Sequence, residues 1–463
     1  MNRQTLHPMI RFGTKAGLAL AVVSALALPL ASQASSFQLP TDGAAGYARA
    51  NAGGSLFAND PTAAFNNPAA MAFFTAPMIQ VTGIGIRPVA DFNGQFQDQQ
   101  GKPVSGNNKD GFGKFVPFPN VVAVVPVNDR LSLGGSITVP YGLQNDYGKN
   151  WQGRYFGTET KLQSVAVSLS AGFKVNDEFS VGVGVMGQRT KAQLNSTLDP
   201  YGTAAGLFGG NPLAGAPQSG DVGLNVNVQK KFAFGYFGGF EWKPTQQDSV
   251  GLSYHSRVRQ TLSGVYDVYG SAASKGLLSL GPALFPNAGL PTLNPNGDTA
   301  NAELDTPAYA SLSWLHAFND RFSLAATTQW TNWANFQSLV LTSHGNTLLS
   351  IPENFKDSWS YSIGGDYKLT DQWTLRAGLG YDETPTNSAT RDPRLPDGSR
   401  RIVGIGAGYQ ATDHIGFDVA YQHQFVGKVR VNQTNPLGLG LGTMNGTFDD
   451  HGDIVALTGT YKF

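Results

Sequence analysis

The sequence predicts an all-β protein, a transmembrane antiparallel β-barrel of about fourteen strands whose lumen is plugged by an N-terminal hatch. Three observations predict it. From about residue 77 the dominant hydrophobic period is two, which is that of a strand with one wet and one apolar face. Short Asn/Asp-rich connections alternate without a break with long polar or Gly/Pro-rich ones. The chain has 463 residues with 14% charged, 11% aromatic, 57 Gly and no Cys, so one face of its wall meets something other than water. The formal net charge of zero gives no electrostatic case for nucleic acid, and the lack of Cys removes disulfides and thiolate zinc sites.

Residues 1–34 have the form of a secretory signal. Arg3, Arg11 and Lys15 make a positive start, Ala16–Leu30 is apolar, and Ser32-Gln33-Ala34 offers small residues for cleavage. The run is short for a membrane anchor, and no later segment approaches 18 uninterrupted apolar residues. The next stretch, expected to span 35–75 as a hatch, is rich in Ala, Gly and Asn with little apolar periodicity. A disordered leader would share that composition. Phe37, Leu39, Tyr47, Leu56, Phe57, Phe65 and Met71 supply anchors that such leaders lack, so the segment is expected inside the wall.

The wall is expected over 76–463. Leu131, Leu133, Ile137, Val139 and Tyr141 alternate with small or polar residues, as do Val165, Val167, Leu169, Ala171 and Phe173. Trp359, Tyr361, Ile363 and Tyr367 repeat the pattern, then Trp373, Leu375, Ala377, Leu379 and Tyr381, and finally Val455, Leu457, Tyr461 and Phe463. Short turns fall at 128–130, 176–178, 244–248, 319–321, 370–372 and 412–414, where Asn, Asp and Thr bond locally. Long connections lie near 90–112, 142–160, 195–231, 270–301, 332–358, 383–400 and 428–450. Six short and seven long connections give an even strand number with both termini on the periplasmic side. A propeller would repeat a blade every 40–50 residues, roughly, and no such repeat is present. A sandwich has no need of a terminal aromatic or segregated loop lengths.

Seven segments carry a shared order and spacing: SSFQL at the expected mature start, Asn67-Pro68-Ala69, FPNVVAVVPVNDRLSLGGSITVPYGL at 118–143, GLSYHSRVRQTLSGVY at 251–266, WTNWANFQSL at 330–339, ENFKDSW at 353–359 and DQWTLRAGLGYDETP at 371–385. Together they resemble the FadL family of outer-membrane long-chain fatty-acid transporters, with its TodX/XylN hydrocarbon-uptake branch. The resemblance covers essentially the whole mature chain. It implies a fourteen-stranded barrel with a luminal hatch carrying the Asn67, Pro68, Ala69 motif, and passive uptake of long-chain fatty acids or other hydrophobic compounds.

The long loops carry apolar side chains that a channel for hydrophilic solutes does not need. Leu277, Leu278, Leu280, Leu284 and Phe285 lie in one, with Leu290 and Leu293; Leu207 and Phe208 lie in another, with Leu198 and Leu213. They either cap each other or bind a ligand. The resemblance implies the second, as a first apolar groove. It also implies a luminal site, for which Phe37, Leu39, Lys191, Ser196, Ile351 and Glu353 are candidates. Ser196 and Ile351 stand where the fatty-acid transporters carry Arg and Lys. Lys191 and Arg189 are nearby replacements, while Glu353 and Lys356 match the pattern. The departure favours neutral aromatic or alkane hydrocarbons as the alternative cargo. A break at Pro140, Tyr141 and Gly142 either ends a strand or, as the resemblance implies, kinks it to leave a lateral opening.

The seven His form no metal-ligand spacing, and no GxSxG or P-loop is present, so neither enzyme activity, metal nor cofactor is expected. A general porin would carry more Arg and Lys along its strands and no plug of this length, and an adhesin or purely structural barrel would use its loops on a host surface. The expected partners are a hydrophobic small molecule or fatty acid and the surrounding outer-membrane lipid and lipopolysaccharide, with the chain a monomer.

Overall fold

The computed structural model describes residues 36–98, 100–108, 114–207, 216–284, 293–434 and 442–463. The expected signal segment, 1–34, lies outside them. Eighteen strands form one sheet. They are β1 (Met78–Gln97), β2 (Val116–Pro126), β3 (Leu131–Asp146), β4 (Glu159–Lys174), β5 (Phe179–Leu198), β6 (Val222–Trp242), β7 (Asp248–His255), β8 (Thr261–Tyr269) and β9 (Asp298–Glu303). They continue with β10 (Tyr309–Ala317), β11 (Phe322–Thr331), β12 (Ser338–Ser343), β13 (Asn346–Pro352), β14 (Ser358–Lys368), β15 (Trp373–Asp382), β16 (Arg400–Gln410), β17 (Ile415–Thr434) and β18 (Thr443–Lys462).

Fourteen of them close the wall. β7 pairs with β10 and β11 with β14, so β8, β9, β12 and β13 stand outside the ring. β1 pairs with β18 from Met78–Lys462 to Gln97–Thr443 and closes it. All ladders of the ring are antiparallel, and no helix among the described residues is long and apolar enough to cross a membrane. Closure leaves the ring no free outer edge, and its ladders pair backbone groups that hydrocarbon could not.

Each short connection folds as its residues dictate. Asn128 Oδ1 accepts from the N–H groups of Arg130 and Leu131, and Asn176 and Asn319 repeat the arrangement. Thr370 and Thr412 use their hydroxyls in the same way. The outward residues are apolar and exposed, including Val181, Val183 and Val185 on β5 and Leu375 and Leu379 on β15. Exposed aromatics gather at both ends of the strands: Trp242, Trp314, Phe322, Tyr367 and Trp373 by the short turns, and Phe232, Phe234, Tyr361, Tyr381 and Phe425 towards the long connections. This is the pattern of a lipid-facing band between two girdles.

The long connections are more ordered than the sequence suggested. β5 continues to Leu198 and β6 begins at Val222, so their hairpin rises as a paired ribbon within the expected 195–231 loop. β8 and β9 extend it, joined through β9 to the β12–β13 hairpin inside the expected 332–358 loop. Two helices, α1 (Pro200–Leu207) and α2 (Ala272–Leu284), cap this collar. Ladder hydrogen bonds that start in the membrane simply propagate beyond it. The strands of the collar are only six to nine residues long, so their period was hidden.

Candidate functional site

Residues 36–74 run against the inner face of the wall. The short helix 44–48 and its continuation lie on glycines of three neighbouring strands. A Cβ on Gly364, Gly378 or Gly404 would come within 2.2–2.5 Å of the carbonyl oxygens of Arg49 or Tyr47. Gly172 and Gly182 leave similar room for the Pro68–Ala69 backbone, with the nearest atoms 2.3 Å from a built Cβ. Absent side chains are therefore what lets this segment approach the strands. Asn67 caps the 68–73 turn by accepting from Ala69 N–H, and its Nδ2 donates to Phe240 O on β6. The Asn67, Pro68, Ala69 triplet thus lies at β5–β6.

Charge holds the same segment at its lower end. The buried Arg49 guanidinium pairs with Asp366 at 3.1 Å and with Asp60 at 3.7 Å. Asp366 also holds Arg376, which reaches Asp418. On the other side of the segment Asp42 accepts from Asn51 and Asn66. Burial, outweighing those two amides, pushes its carboxyl up to about 6. A cavity of about 160 Å³ separates Asp42 and Asn51 from Ser311 and Thr327 of the wall. A larger one of about 810 Å³ opens below Arg49 and Phe57.

At β3 the ladders are irregular. Its ladder with β2 stops at Val121–Ile137. Val139 and Pro140 together face Val165 of β4, since pairing jumps from Thr138–Ala166 to Tyr141–Ser164. This is a bulge, one of the places where a strand tolerates proline. Pro140 does not end the strand, which continues to Asp146. Beyond Ile137 the edge towards β2 has two substitutes. Asn120 Oδ1 accepts from Val139 N–H at 3.2 Å, and Phe37–Leu39 bond to Pro140 and Gly142. Tyr141 packs edge-on to Phe37, 6.0 Å between centroids.

From that bulge an apolar cluster runs upward without interruption. Phe37 lies 4.8 Å from Trp333 and 6.0 Å from Phe336, and Phe355 meets both of those rings. Ile351, Leu339 and Leu162 continue it, then Leu224, Val226, Tyr266, Leu341 and Leu349, and at the top Leu278 and Leu293. A small apolar cavity of about 20 Å³ sits among Leu198, Leu224, Tyr266 and Leu349.

The sequence candidates divide accordingly. Phe37, Tyr141, Leu278 and Ile351 share this cluster. Ser196 is buried on the same face of β5 as Leu194 and Leu198. Leu39 is buried, but packs with Tyr47 and Val139 in a neighbouring cluster. Leu277 is half-buried and Leu280 exposed on α2. The side chains of Leu207, Leu284, Phe208 and Phe285 lie outside the described residues. Lys191 is exposed on the outward face of β5 with Val183 and Val185, away from the cluster, as is Arg189. Lys356 is exposed as well.

Glu353 is buried, and burial followed by the neighbouring Asp392 pushes its carboxyl well up. It belongs to a set of charges that sequence reasoning missed. Arg394 is buried with its Nη1 2.5 Å from Asp392, while Arg400 pairs with Asp382 and Asp397. Leu395 packs on the apolar cluster beside them. The three Arg and two Asp of RDPRLPDGSR at 391–400 were the available signal in a loop otherwise read as polar.

Residues 25–463 match the family described as outer membrane protein transport protein (OMPP1/FadL/TodX). The chain belongs to that family. A FadL homologue of Pseudomonas aeruginosa is similar in structure, with a TM-score of 0.88 and 41% identity over 92% of this chain and all of that one. The long-chain fatty acid transport protein of Escherichia coli K12 is 25% identical over 437 residues, 91% of this chain and 94% of its own. The 47 kDa outer membrane protein of Pasteurella multocida is 28% identical over 404 residues, 87% and 90% of the two chains. The Pseudomonas putida toluene transporter TodX shares the fold, with a TM-score of 0.66 at 17% identity over 91% of this chain and 98% of its own. The fourteen-stranded wall, its two girdles and its family membership make the chain a multi-pass protein of the outer membrane.

Proposed function

We propose that this FadL-family barrel takes up long-chain fatty acids or other hydrophobic compounds passively, with capture at the collar and release through the wall at β3. The observation that carries the reading is the apolar cluster joining Leu278 of α2 to Phe37 and Tyr141 at the β3 bulge. An apolar molecule gains about 25 cal/mol for each Å² it withdraws from water. A continuous apolar lining therefore offers it a graded descent from loop to break, and the lipid outside the break receives it without return to water. In this reading the apolar residues of the 195–231 and 270–301 segments form the groove, residues 35–75 act as hatch, 76–463 as the transport wall, and the protein works as a monomer and not as an enzyme.

Neutral hydrocarbons are the second reading, favoured by the environment of Ile351. It is 2% exposed among Leu and Phe side chains, and Lys191 points out of the barrel. A carboxylate there would be an unpaired buried charge.

Uptake by cells lacking their own transporter tests both. With this protein expressed, radiolabelled oleate or hexadecane should accumulate above the empty-vector level, and liposomes carrying it should not swell in sugars. Accumulation of neither refutes the transport reading. A preference for the acid of tenfold or more in equilibrium binding refutes the neutral one, since that is about 1.4 kcal/mol of headgroup recognition.

A further inference from the structure

Lys191 and Arg189, useless to the lumen where they stand, belong to a different surface. On β5 the outward residues from Phe179 to Gly187 are apolar or small. Eight steps of about 3.3 Å give about 26 Å of strand, or about 20 Å of height at a barrel tilt near 40°. Arg189 follows at the next outward position and Lys191 at the one after, so both stand at the upper edge of the lipid-facing band. A Cβ on Gly187 would lie 3.3 Å from the Phe232 ring and 3.6 Å from Phe234, which places the outer aromatic girdle directly beneath Arg189.

β6 brings a third cation to the same level. The β5–β6 ladder shifts between Gln188–Ala233 and Thr190–Lys230, so Arg189 faces a bulge formed by Lys231 and Phe232. Lys231 is exposed. Arg259 is the fourth. It is exposed in the crossing from β7 to β8, next to the buried Val258, whose side chain lies against Gly235 of β6. Arg189, Lys191, Lys231 and Arg259 make no ion pair among the described residues. The bordering carboxylates are engaged elsewhere, Glu159 with Lys161 and Asp305 with Arg257, apart from the exposed Glu303 opposite Thr261. The opposite flank is built differently. There Lys428 lies across from Asp449 and Arg87 across from Asp453.

We propose that Arg189, Lys191, Lys231 and Arg259 form a docking surface for lipopolysaccharide, holding the phosphates of its lipid A while the acyl chains lie on Phe232, Phe234 and the β5 valines. Charge complementarity and height argue for that occupant. Four uncompensated cations at the outer boundary of an apolar band fit phosphates carried above acyl chains, and guanidinium groups grip phosphate in a planar, two-pronged manner. The bulge that sets Lys231 beside Phe232 gives the site its amphipathic form.

Native mass spectrometry of the full-length protein in detergent provides the test, with added hexa-acylated lipid A in bisphosphorylated and dephosphorylated forms. The wild type should bind the bisphosphorylated form at least tenfold more tightly. Arg189→Gln, Lys191→Gln, Lys231→Gln and Arg259→Gln combined should abolish that preference. The control, Arg401→Gln with Lys428→Gln and Arg430→Gln on the other flank, should keep it. Heat-modifiable gel mobility reports folding of both variants, and if the first fails to fold the single Lys231→Gln variant takes its place, with a threefold loss expected. Equal binding of the two lipid A forms by the wild type overturns the proposal. So does an unchanged preference in the first variant, an equal loss in the control, or equally tight binding of phosphatidylglycerol, which would make the patch a general anionic surface.

Discussion

Gln38 and Tyr141 form an isolated antiparallel bridge, with Leu39 N–H donating to Pro140 O at 2.8 Å and Gly142 N–H to Phe37 O at 2.9 Å. Three residues of the N-terminal segment thereby serve as a strand on the β3 edge that β2 has left. The wall and the segment complete each other at this point, so loosening one exposes the other. Leu39→Pro removes the donor to Pro140 and should cost about 1 kcal/mol locally. Amide exchange at Gly142 is the measurement, and it should rise about fivefold while exchange at Gly134, within the intact β2–β3 ladder, stays unchanged.

Gly378 is the tightest of the wall glycines against the 36–74 segment, with Arg49 C and O both 2.2 Å from a built Cβ. Backbone on both sides leaves little to give way. Gly378→Val should therefore displace the 44–52 region at a cost of about 1–3 kcal/mol. The strand itself is not harmed, because β-branched residues suit it. Single-channel conductance in planar bilayers should rise above the wild-type level while heat-modifiable mobility is retained. Arg49→Met should act in the same direction and more strongly, since it leaves Asp60 and part of Asp366 without their partner, an effect of about 3–5 kcal/mol for a buried pair.

The segment should also respond to pH through Asp42. Its carboxyl is pushed up to about 6 from an ordinary 3.8, so the docked state binds a proton more tightly than the released one. Docking is then strongest below about pH 4 and weakens as pH rises through 6, by about 3 kcal/mol in total. Open-channel events should be rarer at pH 5 than at pH 7.5, and Asp42→Asn should remove the difference. An opposite slope would place the pH response on another group.

The period-two wall, its turns and its closing aromatic were all legible because each rests on local chemistry. Asn128 and Asn176 announce their turns within three residues, and Trp359, Tyr361 and Ile363 announce their outward face. Lys191 was legible as well. Its parity with Val181, Val183 and Val185 puts it on the lipid side, against the luminal role expected of it as a replacement cation. The glycines were not legible as a docking bed. Gly364, Gly378 and Gly404 meet Arg49 and Tyr47 only because β14, β15 and β16 are neighbours, and single strands carry no trace of that. The buried Arg394 and Glu353 escaped notice for the related reason that loop charges are ordinarily solvated.

The β3 bulge bears the most direct functional prediction. Pro140 offers no N–H, Val139 spends its own on the Asn120 side chain, and the chain regains ladder pairing with β4 only at Tyr141. Pro140→Val restores a donor and Gly142→Val favours extended backbone, so the double variant should let β3 pair with β2 beyond Val121. That ladder would displace Phe37–Leu39 and seal the wall where the apolar cluster reaches it. Uptake of radiolabelled oleate or hexadecane should then fall at least tenfold, while binding at the collar, followed by quenching of a fluorescent fatty acid, persists. Phe37→Ala provides the complement. It removes the ring between Tyr141 and Trp333 and leaves the bulge intact, so uptake should fall less than in the double variant. Wild-type uptake by a correctly folded double variant would mean that cargo leaves past the 36–74 segment towards the cavity below Arg49.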